Sequence, residues 1–168
     1  WGGRPWGDGV QGNSNMFANM ASQSVELIES QNPIQILRYE LIPDRAGAGK
    51  FRGGLPYRRD YLFTEEEAIL QVRSDRRRFR PYGLYGGYAG RPSRNVLNPD
   101  KEAQLLDSKL TMNLRKGDVF RHELPGGGGW GDPLDRDPVS VLSDVRNEYI
   151  SVKGANSDYG VVVDSSTW

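Results

Sequence analysis

Four consecutive glycines, Gly126 to Gly129, restrict the fold of this chain more than any other feature of its sequence. They follow Pro125 and lead into Trp130. Glycine loses the most conformational entropy on ordering and adopts positive φ without strain, so the run predicts sharp bends or the close approach of a backbone or a ligand. Two interpretations stay open: a tightly packed structural turn, and a nest of N–H groups that binds an anion. Because no Lys-Ser or Lys-Thr follows, the run is not a Walker loop.

Composition narrows the class of protein. A length of 168 residues suits one domain, and 36% hydrophobic residues indicate a globular but thinly cored fold. Lys plus Arg and Asp plus Glu both number 22, so the zero net charge argues against nucleic-acid and membrane partners. The lack of Cys excludes disulfides and thiolate metal sites, and we expect a cytoplasmic location. The chain opens at Trp1 without an initiator Met, which leads us to expect a fragment or a processed piece.

Hydrophobic patterning predicts a mainly β fold of the α+β class, an antiparallel sheet or sandwich with one or two C-terminal helices, as part of a larger subunit. In the first strand, Leu37, Tyr39 and Leu41 are expected on the half-buried face. The predicted strands are 36–42, 55–63 and 68–73, interpreted as a meander, followed by a hairpin of 110–114 and 119–124 that turns near 116–118.

Helix signals lie at both ends of the chain. A short helical turn is expected over 25–31, ended by the Asn-Pro pair that follows. Asp137 as N-cap and Pro138 at the first position predict a helix over 138–148, with Val139, Val141, Leu142 and Val145 as its apolar stripe. A second helix is expected from Ser151 to Gly160, and a strand over 161–163. We divide the chain into an extended segment (1–33) that packs on a missing upstream part or a partner, a β-rich domain (34–133) and a C-terminal helical segment (134–168).

Two groups of polar residues, together with the glycine run, are candidates for a substrate pocket or an interface. The asparagines of the opening segment can orient a carbonyl or amide group, although such clusters more often hold loops together. The arginines around Asp75 suit either a carboxylate or phosphate ligand or an ion-pair network. The candidates are Arg4, Asp8, Asn13, Asn15, Asn19, Asp75, Arg76 and Arg77, with Gly126, Gly127, Gly128, Gly129 and Trp130 in the glycine loop.

His122 is the single histidine and lies in a predicted strand. One histidine cannot assemble a metal site by itself, and no metal ligand is assigned in this chain. A triad of Ser74, Asp75 and His122 lacks the nucleophile-elbow pattern around the serine, so the catalytic residues stay unknown.

Four sequence blocks give the chain a resemblance to a known family. They are WGGRP (1–5, with Asp8-Gly9), PDRAGAGKFRGGL (43–55), SDRRRF (74–79) and PGGGGWGDPLDR (125–136). In this order and spacing they resemble the C-terminal part of the hydantoinase B / 5-oxoprolinase family, which includes the related subunits of acetone and acetophenone carboxylases. The resemblance covers nearly all of the chain but only the last third or less of a typical family member.

The resemblance implies a function for the assembled protein. It implies the C-terminal portion of a B-type subunit that, with an ATP-using A-type partner, hydrolyses a C–N bond of a small cyclic amide. The equivalent part of a ketone carboxylase and a non-catalytic assembly module are the alternatives. It also implies that ATP and Mg²⁺ lie on the partner, that a divalent metal lies in the upstream part of the B-type polypeptide, and that the isolated chain is inactive.

Overall fold

The computed structural model describes residues 1–13, 17–18 and 20–164, and its strands form two sheets. The strands are β1 (Ile34–Leu41), β2 (Tyr57–Phe63), β3 (Glu67–Arg73), β4 (Arg94–Leu97), β5 (Gln104–Leu106), β6 (Lys109–Arg115) and β7 (Val119–Glu123). The helices are α1 (Val25–Gln31), α2 (Pro138–Arg146) and α3 (Val152–Tyr159), and a 3₁₀ turn spans Pro133–Asp135. The five-stranded sheet has the order β1-β2-β7-β4-β5, and β3 pairs with β6.

The segments 57–73 and 109–123 form one bent antiparallel ribbon. β2 pairs with β7 and β3 pairs with β6. At the bend Gly117, with φ 86°, donates its N–H to the Phe63 carbonyl at 2.9 Å. The turn near 116–118 is present, but the expected hairpin is wrong, because this turn passes the chain from one sheet to the other instead of pairing β6 with β7. The meander expected for the first three strands is also wrong beyond β2, because β3 pairs with β6 and not with β2.

The first apolar core cluster is formed by side chains from both sheets. The buried members of this cluster are Val72, Leu97, Leu106, Leu114 and Phe120. β1 contributes little, since it is the edge of the sheet and its register shifts between Ile36 and Arg38. The half-buried face expected for β1 is therefore wrong: Leu37, Tyr39 and Leu41 are 48%, 45% and 37% exposed.

The three helices occur where the sequence predicts them. Asp137 accepts a hydrogen bond from the Val139 N–H and caps α2, while Ser151 caps α3 and Gly160, with φ 67°, ends it. The second core cluster joins these helices to the glycine-rich loops through Ala48, Val141, Val145, Ile150, Ala155 and Tyr159. Two details differ from the prediction. Val139 is 71% exposed and does not belong to the apolar stripe of α2. Residues 161–163 do not form a strand, because they pack against the helical core cluster and have no sheet partner among the described residues.

The fold class is thus confirmed as mainly antiparallel β with helices near the end of the chain. The division into 1–33, 34–133 and 134–168 stays a prediction. Among the described residues, helices of the length and apolarity that would cross a bilayer do not occur.

Candidate functional site

The glycine run lies at the centre of a bundle of loop backbones, which we call the glycine bundle and define as residues 1–3, 45–54, 82–90 and 126–131. A Cβ atom on each of the four glycines would overlap a backbone carbonyl oxygen of a different neighbour. The oxygens belong to Arg45 (for Gly126), Trp1 (for Gly127), Tyr82 (for Gly128) and Ala48 (for Gly129). Positive φ occurs in this loop only at Gly131, so at 126–129 glycine is required by close approach and not by φ.

Backbone hydrogen bonds join the loop segments of the glycine bundle to one another and to the adjacent Arg91. The N–H groups of Gly126, Gly127 and Gly129 donate to the carbonyls of Arg91, Gly54 and Tyr88 at 2.9 to 3.0 Å. Trp130 exchanges two such bonds with Phe51, at 2.9 and 3.0 Å. Three of the four N–H groups that an anion nest would need are thus directed at carbonyl oxygens. This geometry favours the structural interpretation of the loop.

A buried ion-pair network fastens the bundle to α2. The Arg136 guanidinium binds both carboxylate oxygens of Asp8 at 2.7 and 2.8 Å, and it binds Asp144 of α2 at 2.7 Å. Arg52 donates to both oxygens of Asp144 at 3.2 Å, and its backbone N–H donates to Asp8 at 2.7 Å. Both arginine side chains are 4% exposed, so the two carboxylates are needed to compensate the two buried cations.

The network sets the charge state of its members. Burial by itself raises the pKa of Asp8, but the hydrogen bond and charge of Arg136, with the charge of Arg52, outweigh it and hold that pKa below its usual range. Burial likewise opposes the charge of Arg136, and the two carboxylates outweigh it and raise the pKa of this guanidinium. Asp8 is therefore an ionised structural partner in this arrangement.

A cleft of about 840 Å³ lies between the opening segment and the five-stranded sheet. Its walls include Asn13 and Ser22 from the opening segment, Gly127 from the bundle, and Tyr57 and Arg59 from β2. It is the place where two of the sequence candidates, Asn13 and Gly127, face a common space.

One wall of the cleft continues into a row of side chains that crosses four strands. The register pairs Tyr39 with Arg59, Arg59 with His122, and His122 with Asn95. The Arg59 guanidinium lies over the Tyr39 ring, 4.0 Å from its centroid, and donates to Ser22 Oγ at 3.2 Å. We call Tyr39, Arg59, His122 and Asn95 the cross-strand row.

The buried end of the row fixes the imidazole. Asn95 is fully buried, and its Nδ2 donates to Ser74 Oγ at 2.8 Å and to the Asp107 carbonyl at 3.1 Å. Its Oδ1 therefore accepts, and His122 Nδ1 donates to it over 2.7 Å. Burial lowers the pKa of His122, Arg59 lowers it further, and Glu123 partly opposes both. A neutral imidazole with an acceptor at Nε2 is the result.

The remaining sequence candidates lie elsewhere. Exposed Arg4 donates to the backbone carbonyl of Asp8 at 2.9 Å. Arg77 pairs with Asp107 at 2.5 Å rather than with Asp75, whose backbone carbonyl accepts from Ser93. Arg76 is exposed, with φ 60°. The sequence candidates Asn15 and Asn19 lie outside the described residues. The candidates thus fall into separate places, and their functional roles stay predictions.

Sequence reasoning missed the cross-strand row. The period of two in β2 places Arg59 on the same face as Tyr57 and Tyr61, and an arginine among aromatics on such a face was the available signal. The pairing of β2 with β7, which brings His122 beside Arg59, has no local signal.

A protein metal site needs several donor side chains around one point. Across residues 1–13, 17–18 and 20–164, three or more His, Asp or Glu side chains do not come together as a set that could hold a metal ion. The divalent metal that the family resemblance implies for the upstream part of the polypeptide stays a prediction.

Two solved structures share this fold. The crystal structure of ATP-dependent caprolactamase from Pseudomonas jessenii superposes with a TM-score of 0.76 at 32% identity, over 86% of this chain and 26% of that chain. Nucleotide-free acetone carboxylase shares the fold, with a TM-score of 0.75 at 22% identity, over 94% of this chain and 25% of that one.

The chain belongs to the hydantoinase B/oxoprolinase family, whose model matches residues 1–133. The B-type subunit of a putative D-/L-hydantoinase from a Pseudomonas species (strain NS671) is 34% identical over 170 aligned residues, which cover 99% of this chain and 28% of that protein. The family resemblance drawn from the four sequence blocks is confirmed. The chain spans about a quarter of the length of these relatives.

Proposed function

We propose that this chain is the C-terminal portion of a B-type subunit that, with an ATP-using A-type partner, hydrolyses a C–N bond of a small cyclic amide. The observation that carries the proposal is its 34% identity with the B-type polypeptide of a putative hydantoinase over 99% of the chain. The 32% identity with caprolactamase, an ATP-dependent enzyme by its name, supports the same reaction class. Transfer of the γ-phosphoryl group of ATP to the amide oxygen would release ADP and make the carbonyl carbon electrophilic. Addition of water with cleavage of the C–N bond would open the ring to an amine and an acyl phosphate, and a second water would hydrolyse the acyl phosphate to carboxylate and phosphate.

In this proposal the chain supplies framework and one wall of the cleft. The glycine bundle and the Asp8, Arg136, Asp144 and Arg52 network hold that wall in place. ATP with Mg²⁺ belongs to the A-type partner, and the divalent metal belongs to the upstream part of the B-type polypeptide.

Exposed apolar side chains support the proposal that this chain is part of a larger subunit. The opening segment exposes Trp1 at 57%, Trp6 at 74%, Phe17 at 92% and Met20 at 73%. Large apolar groups concentrated in one short segment are typical of an interface. About three quarters of each relative lies outside the match and offers a surface to cover them.

The alternative reaction is carboxylation of a ketone, which the shared fold of acetone carboxylase supports. The second alternative, a module that only assembles subunits, is supported by the structural use of Asp8 and of the glycine loop. The three candidates differ in the products they predict.

The test is an activity assay on the complete B-type polypeptide containing this chain, purified with its A-type partner. We expect ATP-dependent ring opening of hydantoin, 5-oxoproline or caprolactam, with ADP and the ring-opened acid formed together and without bicarbonate. Consumption of acetone only with ATP and bicarbonate would overturn the hydrolase proposal in favour of the carboxylase. A complex that releases ADP on none of these substrates, and whose assembly is lost when this chain is removed, would overturn both in favour of an assembly module.

A further inference from the structure

Arg59 differs from the other arginines of the five-stranded sheet. Four of them lie on the opposite face and pair with carboxylates there, and these pairs are Arg38 with Asp60, Arg58 with Glu40, Arg94 with Glu123 and Arg121 with Asp60. Within the described part of the chain, Arg59 has no carboxylate within ion-pair distance, and its guanidinium donates instead to the neutral hydroxyl of Ser22 at 3.2 Å. The sheet thus leaves this cation uncompensated among the described residues, at the wall of the 840 Å³ cleft.

The surroundings of Arg59 keep it charged and in place. Its guanidinium lies 4.0 Å from the Tyr39 ring centroid and 5.2 Å from that of Tyr57. Burial alone would lower the pKa of Arg59, but the hydroxyls of Tyr39 and Tyr61 outweigh it and raise that pKa. A guanidinium stacked on aromatic rings presents a planar fork whose orientation is set before a ligand arrives.

We propose that Arg59 is the anion-binding residue of this cleft and takes the carboxylate or phosphoryl group of a small ligand. Both anions match the guanidinium fork, which donates two parallel hydrogen bonds to either. This inference depends on the proposed function only in naming the molecule that would carry the anionic group. An activated lactam carries a phosphoryl group, and its ring-opened product carries a carboxylate.

His122 provides a reporter for this site. It is the single histidine of the chain, it faces Arg59 across the β2-β7 pair, and its Nδ1 is fixed by neutral Asn95 on β4. The charged neighbours that act on it are Arg59 and Glu123. An anion bound at Arg59 cancels part of the positive potential at the imidazole, so the pKa of His122 must rise when the site fills.

In the complete B-type polypeptide that contains this chain, the experiment follows the imidazole carbon-bound protons of His122 by NMR, assigned by their loss in His122→Gln, while inorganic phosphate or acetate is added at constant ionic strength. We expect a saturable shift and a rise in the pKa of His122, both lost or weakened at least tenfold in Arg59→Gln. Arg38→Gln is the matched control, because it removes the same charge from the opposite face and leaves the cleft intact. Tighter saturation by phosphate assigns a phosphoryl group, and tighter saturation by acetate assigns a carboxylate.

A linear, non-saturating shift in the unmodified protein, or an equal response in Arg59→Gln and the unmodified protein, would overturn the inference. If Arg59→Gln fails to fold, Arg59→Lys keeps the charge but not the fork, and unchanged affinity in that variant would also count against a fork-bound anion. The measurement needs neither ATP nor a partner subunit nor turnover. It can therefore fail while cyclic amide hydrolysis is found, and succeed while it is not.

Discussion

Alanine at Gly128 is the substitution that probes the glycine bundle most directly. The added Cβ would overlap the carbonyl oxygen of Tyr82 and lie 3.0 Å from the backbone N of Gly83. Backbone atoms cannot rotate away as a side chain can, so the 82–90 segment must move. Moving it stretches the 2.9 Å hydrogen bond from the Leu84 N–H to Gly129.

The expected cost follows from these contacts. Overpacking of a closely packed interior costs about 1–3 kcal/mol, and the strained hydrogen bond adds about 1 kcal/mol. We therefore expect Gly128→Ala to lower the free energy of unfolding by roughly 3 kcal/mol. In a domain of this size each kcal/mol shifts the melting temperature by about 2–4 °C, so the fall should be roughly 6–12 °C.

Two further glycines separate the causes. Gly117 has φ 86° with open space around it, so Gly117→Ala measures backbone strain alone, about 1 kcal/mol. Gly7 does not have a positive φ, and the nearest atom to its added Cβ would be the side-chain Nη2 of Arg4 at 3.6 Å, with no backbone atom of another segment within 4 Å. Gly7→Ala should therefore change stability by less than about 0.5 kcal/mol. Thermal unfolding of the three variants should rank Gly128 first, Gly117 second and Gly7 last.

Equal melting temperatures for Gly128→Ala and Gly7→Ala would refute the close-approach argument. A Gly128→Ala protein that keeps its melting temperature and subunit assembly but loses turnover would show that the loop binds a ligand.

Two predictions concern the charged groups. Asp60 is 1% exposed and accepts two hydrogen bonds from Arg121, of 2.7 and 2.8 Å, so Asp60→Asn should lower the free energy of unfolding, measured in urea, by about 3 kcal/mol. Glu40 forms an exposed ion pair with Arg58, so Glu40→Gln should lower it by less than about 1 kcal/mol. Equal losses in the two variants would contradict the role of burial. Because the pKa of Asp8 is lowered in the folded protein, its contribution is complete above the ordinary carboxyl pKa and is lost as the pH falls below about 4. Asp8→Asn should therefore flatten the acid limb of the stability curve, and an unchanged acid limb would show that the bond to Arg136 does not stabilise the fold.

The amino-acid sequence by itself determined the local elements. The capping residues and proline positions located α2 and α3, because a cap is satisfied within a few residues of chain. Alternation located β1, β2, β3, β6 and β7 but missed the short strands β4 and β5. The glycine run predicted close backbone approach. Four short blocks were enough to identify the family.

Pairing between distant segments was decided only by the tertiary structure. The turn at Gly117 has the residues of a hairpin, yet the 57–73 segment pairs across both sides of it, since register depends on the whole buried face and not on the turn alone. The same long-range pairing brings Arg59 beside His122 and leaves its charge without a carboxylate among the described residues. Local periodicity places a side chain on a face, and only the partner strand decides what that side chain meets.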